Sequence, residues 1–209
     1  YPFNGNANDE SGNGNHGTVS GATLTADRMG KFGQAYEFIK ANKTERITIP
    51  GETLNAASAF TWSAWIRIDA ESSRTWANFI SGVPNDTNHN EFIIGTLDSK
   101  FKIYFKGEYV KGFSVMNWTS DWKHVVVTRS SFESPFRVFV DGFFIEEFVF
   151  ADTGTPSIDS NGLVLGNEQD SVGGGFTTAD AFGGKLDDVR IYNRALSEAE
   201  VKSLYEFEK

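Results

Sequence analysis

Side-chain oxygens crowd three short, glycine-broken stretches of this sequence. The densest runs Leu165-Gly-Asn-Glu168-Gln-Asp170-Ser-Val-Gly-Gly-Gly-Phe176-Thr-Thr-Ala-Asp180. Glu168 and Asp170 flank the backbone carbonyl of Gln169, and Asp180 returns a third carboxylate after a glycine run that can fold the loop back. Hard cations such as Ca2+ take carboxylate, amide and backbone oxygens, so this spacing suits calcium with a coordination position left for a ligand. A second stretch, Asn4 to Gly17, carries Asn6, Asp9 and Asn13 among its glycines. A third, Asn85 to Glu91, carries Asn88, His89 and Asn90 just before an apolar run. Each stretch could equally be an ordinary solvated turn, the usual fate of polar loops.

Other chemistries find less support. The chain has no cysteine, which excludes disulfides, thiolate metal sites and cysteine nucleophiles. No serine stands in a Gly-x-Ser-x-Gly elbow. A glycoside hydrolase needs two acids in one cleft, and no alternating Glu-x-Asp-x-x-Glu strand is present. The pattern Gly12-x-Gly14-x-x-Gly17 lacks the strand before and the helix after that dinucleotide binding requires. His124 lies inside a strand pattern and is expected to be a buried structural residue. Trp76, Trp118, Tyr104 and Tyr109 are candidates for stacking on sugar rings, whereas Trp62, Trp65 and Trp122 are expected in the core.

The elements that must position these loops are strands. Alternating apolar runs fall at 18–24, 35–39, 46–49, 60–68, 77–81, 91–96, 101–105, 122–128, 136–140, 143–150, 162–165 and 183–192, bounded by Gly, Asn, Asp, Ser or Pro. This spacing predicts an all-β, two-sheet antiparallel β-sandwich of the jelly-roll kind. Asp141-Gly142 between two apolar runs predicts a tight hairpin. Ser197-Glu-Ala-Glu200 reads as a capping box opening a short C-terminal helix. With no repeat or composition break, residues 1–209 are expected to form one domain.

A formal net charge of -9 makes nucleic acid an improbable partner and favours cations. No apolar run is long enough to cross a membrane, so no membrane insertion is expected. The lack of cysteine favours a bacterial secreted or surface origin. The chain starts at Tyr1 and is expected to be attached to other domains of a larger polypeptide.

Three segments carry a family resemblance. The opening Tyr1-Pro-Phe-Asn-Gly-Asn, the central Trp122-Lys-His-Val-Val-Val-Thr128 with Val138-Phe-Val-Asp-Gly142, and the closing Leu186-Asp-Asp-Val-Arg-Ile-Tyr192 resemble the bacterial laminin-G-like, concanavalin A-like jelly rolls. Within that likeness, Leu163 to Phe176 is similar to the calcium loop of pentraxins. The resemblance implies calcium held by Glu168, the Gln169 carbonyl, Asp170 and Asn90. His89 stands where the family has Asp, with Asn88 or Asp86 able to substitute. It assigns Asp180 to a second ion, but Thr177 replaces an acid there, which implies one well-formed calcium rather than two. In laminin-G-like relatives the first loop and closing strand enclose a structural calcium, which would bring Asp9, Asn6 and Asn13 to Asp187.

The combined expectation is a non-catalytic, calcium-dependent module of a secreted or cell-surface, adhesin-like protein that binds a glycan or polysaccharide. His89, Trp76, Tyr109 and Trp118 are the expected ligand contacts. A spacer or protein-interaction domain with structural calcium is the alternative, and a polysaccharide-degrading jelly roll a more distant one.

Overall fold

The computed structural model describes residues 1–84, 90–119 and 121–209. The strands, in chain order, are β1 (Thr18–Ser20), β2 (Thr23–Ala26), β3 (Phe32–Phe38), β4 (Arg46–Ile49), β5 (Phe60–Ile68), β6 (Ala77–Gly82) and β7 (Phe92–Leu97). They continue as β8 (Lys100–Phe105), β9 (Glu108–Ser114), β10 (Lys123–Arg129), β11 (Phe136–Val140), β12 (Phe143–Phe148), β13 (Leu163–Leu165) and β14 (Gly184–Tyr192), followed by the helix α1 (Glu198–Glu208). They form two seven-stranded antiparallel sheets, ordered β1-β4-β13-β6-β7-β8-β9 and β12-β11-β10-β5-β14-β3-β2.

One apolar core lies between the sheets. Alternation along each strand sends Phe101, Ile103 and Phe105 of β8, and Phe60, Trp62, Ala64 and Ile66 of β5, into it. Phe60, Phe92, Phe105, Phe136 and Phe150 meet edge-on or offset with ring centroids 5.2–6.2 Å apart, the arrangements aromatic quadrupoles favour. The high phenylalanine content is therefore the material that fills the space between the sheets.

The 18–24 run, expected as one strand, is two. Gly21, at φ +76°, breaks it, and its halves join opposite sheets. β9 was absent from the expected strands because it is an edge strand with exposed and half-exposed residues and little apolar alternation. Lys106 and Gly107, both at positive φ, supply the turn that pairs it with β8. The Asp141-Gly142 hairpin forms as expected, with φ +51° and +81°. So does the capping box: the Ser197 side chain accepts from the Glu200 N–H, and the Glu200 carboxylate accepts from the Ser197 N–H.

Helix α1 covers the outer face of the second sheet. Glu208 fastens it there, accepting from the Trp65 indole N–H at 2.8 Å and from Arg190 Nε at 2.6 Å. Leu196 and Val201 pack on Val126 and Phe139 beneath the helix. Trp65 is buried, as expected, but against Tyr205 and His124 rather than between the sheets.

Candidate functional site

The outer face of the first sheet carries the site. Asn78 of β6, Gly95 of β7 and Lys102 of β8 lie side by side in register, and Ser81, Ile93 and Tyr104 form the neighbouring row. These positions should face solvent by alternation, yet Asn78, Ser81 and Lys102 are fully buried. The loop after β13 covers them.

Three buried polar side chains hold that loop down. It leaves β13 at Gly166, whose φ is +78° and where a Cβ would stand 2.2 Å from the Phe38 ring, so glycine is required there. Asn167 donates to the Lys43 and Glu45 carbonyls, while its own Oδ1 accepts from the Glu168 N–H and aims that residue. At the far end, Lys40 Nζ donates to the carbonyls of Trp76, Ala179 and Ala181 at 2.6–2.9 Å. Asn78 Nδ2 donates to the Asp180 carbonyl at 2.9 Å.

Inside the loop, Glu168 and Gln169 are buried while Asp170 faces solvent and Asp180 is half-buried. Asn90, at the entry to β7, donates through Nδ2 to a Glu168 carboxylate oxygen, and its Oδ1 is buried with no donor among the described residues. Burial pushes the Glu168 carboxyl up to about 7 and the neighbouring Asp180 and Asp170 charges push the same way, against the Asn90 hydrogen bond. Gln169 Oε1 accepts from the Gly173 N–H, which closes the glycine turn.

Lys102 escaped the sequence reading. Its ammonium lies 3.3 Å from the centre of the Trp76 ring and has no hydrogen-bond partner among the described residues. Burial pulls it down to about 7, and the Glu168 and Asp180 charges oppose that pull. No local signal marked it, because alternation with Phe101 and Ile103 puts Lys102 on the outer face, where a lysine is ordinary.

The fit to a hard cation rests on the donor set. Asn90 Oδ1, the Glu168 carboxylate, the Gln169 carbonyl and the Asp170 carboxylate belong to two segments joined by the Asn90–Glu168 contact. Among the described residues no three His, Asp or Glu side chains converge. This does not conflict with the donor set, which includes an amide and a backbone oxygen, both ordinary calcium donors. Asp180 turns its carboxylate to its own loop, accepting from the Thr177 hydroxyl. Asp86, Asn88 and His89 lie outside the described residues.

The aromatic candidates separate. Trp76 is half-buried and Tyr109 half-exposed, and their rings meet edge-on at 6.1 Å. Trp76 also walls a cleft of about 640 Å³ with Lys40, Arg74, Asp98 and Thr178. Trp118 corrects the expectation: it is buried against Phe101 and Phe113 and has no face to offer a ligand. Its place in a short helical turn capping the core, invisible in the sequence, is the reason.

The first loop and Asp187 also depart from expectation. Asp9 spends its carboxylate on its own loop, accepting from the Ser11 and Asn15 N–H groups. Burial pushes Asp9 up, but these hydrogen bonds outweigh it and hold the carboxyl below its usual range. Asn6 Oδ1 accepts from the Asn8 N–H, and Asn13 donates to Ser11. Asp187 is buried in an ion pair with Arg28 at 2.6 Å, rather than against Asp9. An irregularity in β14 between Asp187 and Arg190 turns the neighbouring Asp188, at φ +44°, to the groove it shares with Asp9 and Asn13.

The family model of the concanavalin A-like lectin/glucanases superfamily matches residues 41–202. The chain belongs to that superfamily. Among curated relatives, human pentraxin-4 is 36% identical over 83 residues, covering 40% of this chain and 17% of that protein. C-reactive protein 1.1 of Limulus polyphemus is 34% identical over 84 residues, covering 40% of this chain and 35% of its own length. Human adhesion G protein-coupled receptor D2 is 26% identical over 161 residues, covering 77% of this chain and 17% of the receptor. This superfamily member thus spans only a minor part of each of those relatives. Among solved structures, the receptor binding domain of botulinum neurotoxin C/D mosaic serotype superposes with a TM-score of 0.72 at 12% identity, over 96% of this chain and 48% of that one. The binding domain of Paraclostridial Mosquitocidal Protein 1 does so at 0.67 and 20% identity, over 95% and 48%. At such identities these likenesses speak for the fold. No helix among the described residues is long and apolar enough to cross a membrane.

Proposed function

We propose that this superfamily member is a non-catalytic, calcium-dependent module, outside the cell or on its surface, that recognises a glycan at the rim where the β13–β14 loop meets the start of β7. The observation that carries this reading is the buried Glu168 carboxylate against Asn90, whose Oδ1 lacks any donor among the described residues. A buried amide oxygen without a donor is costly, and so is a buried carboxylate beside two other acids. A hard cation relieves both at once. Asn90, Glu168, the Gln169 carbonyl and Asp170 would hold calcium, which supplies open coordination for ligand hydroxyl or anionic oxygens. Exposed Asp170 marks the solvent side, and Trp76 and Tyr109 offer apolar faces nearby.

The pentraxin relatives, 34–36% identical over 83–84 residues, are consistent with this reading. Residues 1–209 would act as one module among others of a longer chain, of bacterial origin. A protein-interaction role draws on a different observation, the apolar edge strand β12, where Phe143 is 63% exposed.

The test is binding to a glycan array in 2 mM calcium and again in excess EDTA, alongside calorimetric titration with calcium. Binding that EDTA abolishes and calcium restores is expected, with loss of both signals in Glu168→Gln/Asp170→Asn. Equal array binding in calcium and EDTA would overturn the proposal.

A further inference from the structure

Lys102 is a fully buried lysine whose Nζ makes no hydrogen bond to any described residue. Its ammonium is instead placed by shape. The neighbouring position on β7 is Gly95, where a Cβ would stand 2.1 Å from the Ala77 carbonyl. No side chain therefore stands between Lys102 and β6 in this row. Trp76 then receives the ammonium on its ring face. The Glu168 and Asp180 charges act on it, and in the same row lies Asn78, which donates to the Asp180 carbonyl and whose Oδ1 is also without a donor among the described residues.

We propose that Lys102 is a tethered counter-cation that occupies the floor of the loop and weakens its hold on calcium. This rests on the calcium reading above. Glu168, Asp170 and Asp180 place three carboxyl groups in the loop, and the Lys102 ammonium lies within electrostatic reach of Glu168 and Asp180. A divalent ion therefore enters a cradle already part-neutralised, and meets repulsion from the ammonium across a low-dielectric floor. Lys40 is a weaker influence of the same kind, because its ammonium is spent on three loop carbonyls and is part of what pins the loop. Lys102 makes no such anchor among the described residues, so its charge can be removed while those three bonds stay in place.

The experiment replaces Lys102 with Met, which keeps the stem on Trp76 and removes the charge. Calorimetric titration compares calcium with terbium(III) in the native chain and in Lys102→Met, and thermal unfolding establishes that the variant folds. Lys102→Gln serves as a second neutral variant. Calcium affinity measured at about pH 6, where the ammonium is charged, should rise about tenfold in both variants. The gain should be larger for terbium(III), because repulsion scales with the charge of the incoming ion. Unchanged or weaker calcium affinity overturns the inference, as does an equal gain for both ions, which would mark a packing effect. Calcium binding by Lys102→Met but not by the native chain supports the inference and overturns the calcium reading. No binding in any of the proteins overturns both.

Discussion

His124 gives the outer face of the second sheet a pH response. Its ring is fully buried between Trp65 and Tyr205, with Nε2 2.9 Å from Ser63 Oγ and 3.5 Å from a Glu208 oxygen. Both neighbours use the same ring nitrogen, so the cluster is not a relay for catalysis. Burial pulls the imidazole down to about 3, with Arg28 and Arg190 adding to the pull. The unfolded chain gains a proton near 6.5 while the native one stays neutral. Stability is therefore full above 6.5 and falls as pH drops towards 3. Between pH 7 and 5 this group alone should cost about 2 kcal/mol. Urea unfolding at the two pH values should show a loss smaller by that amount in His124→Gln, and identical slopes in the two proteins would refute the assignment. Glu168 stands at the other extreme of legibility: its residue type and spacing were readable, whereas its burial and its contact with Asn90 were not, because they join segments 78 residues apart.

Among the elements, the β13–β14 loop matters most. It is fixed at its entry by Gly166, at its start by Asn167 and at its end by Lys40. Gly166→Ala asks an L residue to hold φ +78° and drives a methyl into Phe38, so it should cost about 2 kcal/mol or more in unfolding free energy. Calcium affinity should fall with it in calorimetry, since the same turn aims Glu168. A variant as stable as the native protein would mean that the turn is not held as described. The strand pattern was legible where one face is core, as in β4, β5 and β11, whose bounds match the apolar runs. It failed at β9, where neither face is buried enough to impose alternation.

For the whole molecule, an ion that binds only the native state adds stability by mass action. Calcium at about a hundred times its dissociation constant should add about 2.7 kcal/mol. For a chain of this size that corresponds to a rise in Tm of about 5–10 °C. EDTA should reverse the rise in differential scanning fluorimetry, and Glu168→Gln/Asp170→Asn should show none. A native chain whose Tm ignores calcium would leave the rim loop as a structural cover alone. The first sheet provides the site's floor of Asn78, Gly95 and Lys102, and the second carries the helix fastened by Glu208.

The sequence by itself determined the sandwich, the Asp141-Gly142 hairpin, the capped C-terminal helix and the chemical character of the 165–180 loop. These follow from local rules: strand alternation, turn residues at positive φ, caps, and the residue types gathered in the loop. Only the tertiary structure decided that Trp118 is buried, that Asp187 pairs with Arg28 instead of the first loop, and that Lys102 lies under the calcium candidate. Each of those outcomes depends on which surfaces meet across the fold. Burial and charge pairing over such distances are set by strand order and loop cover, which no local spacing records.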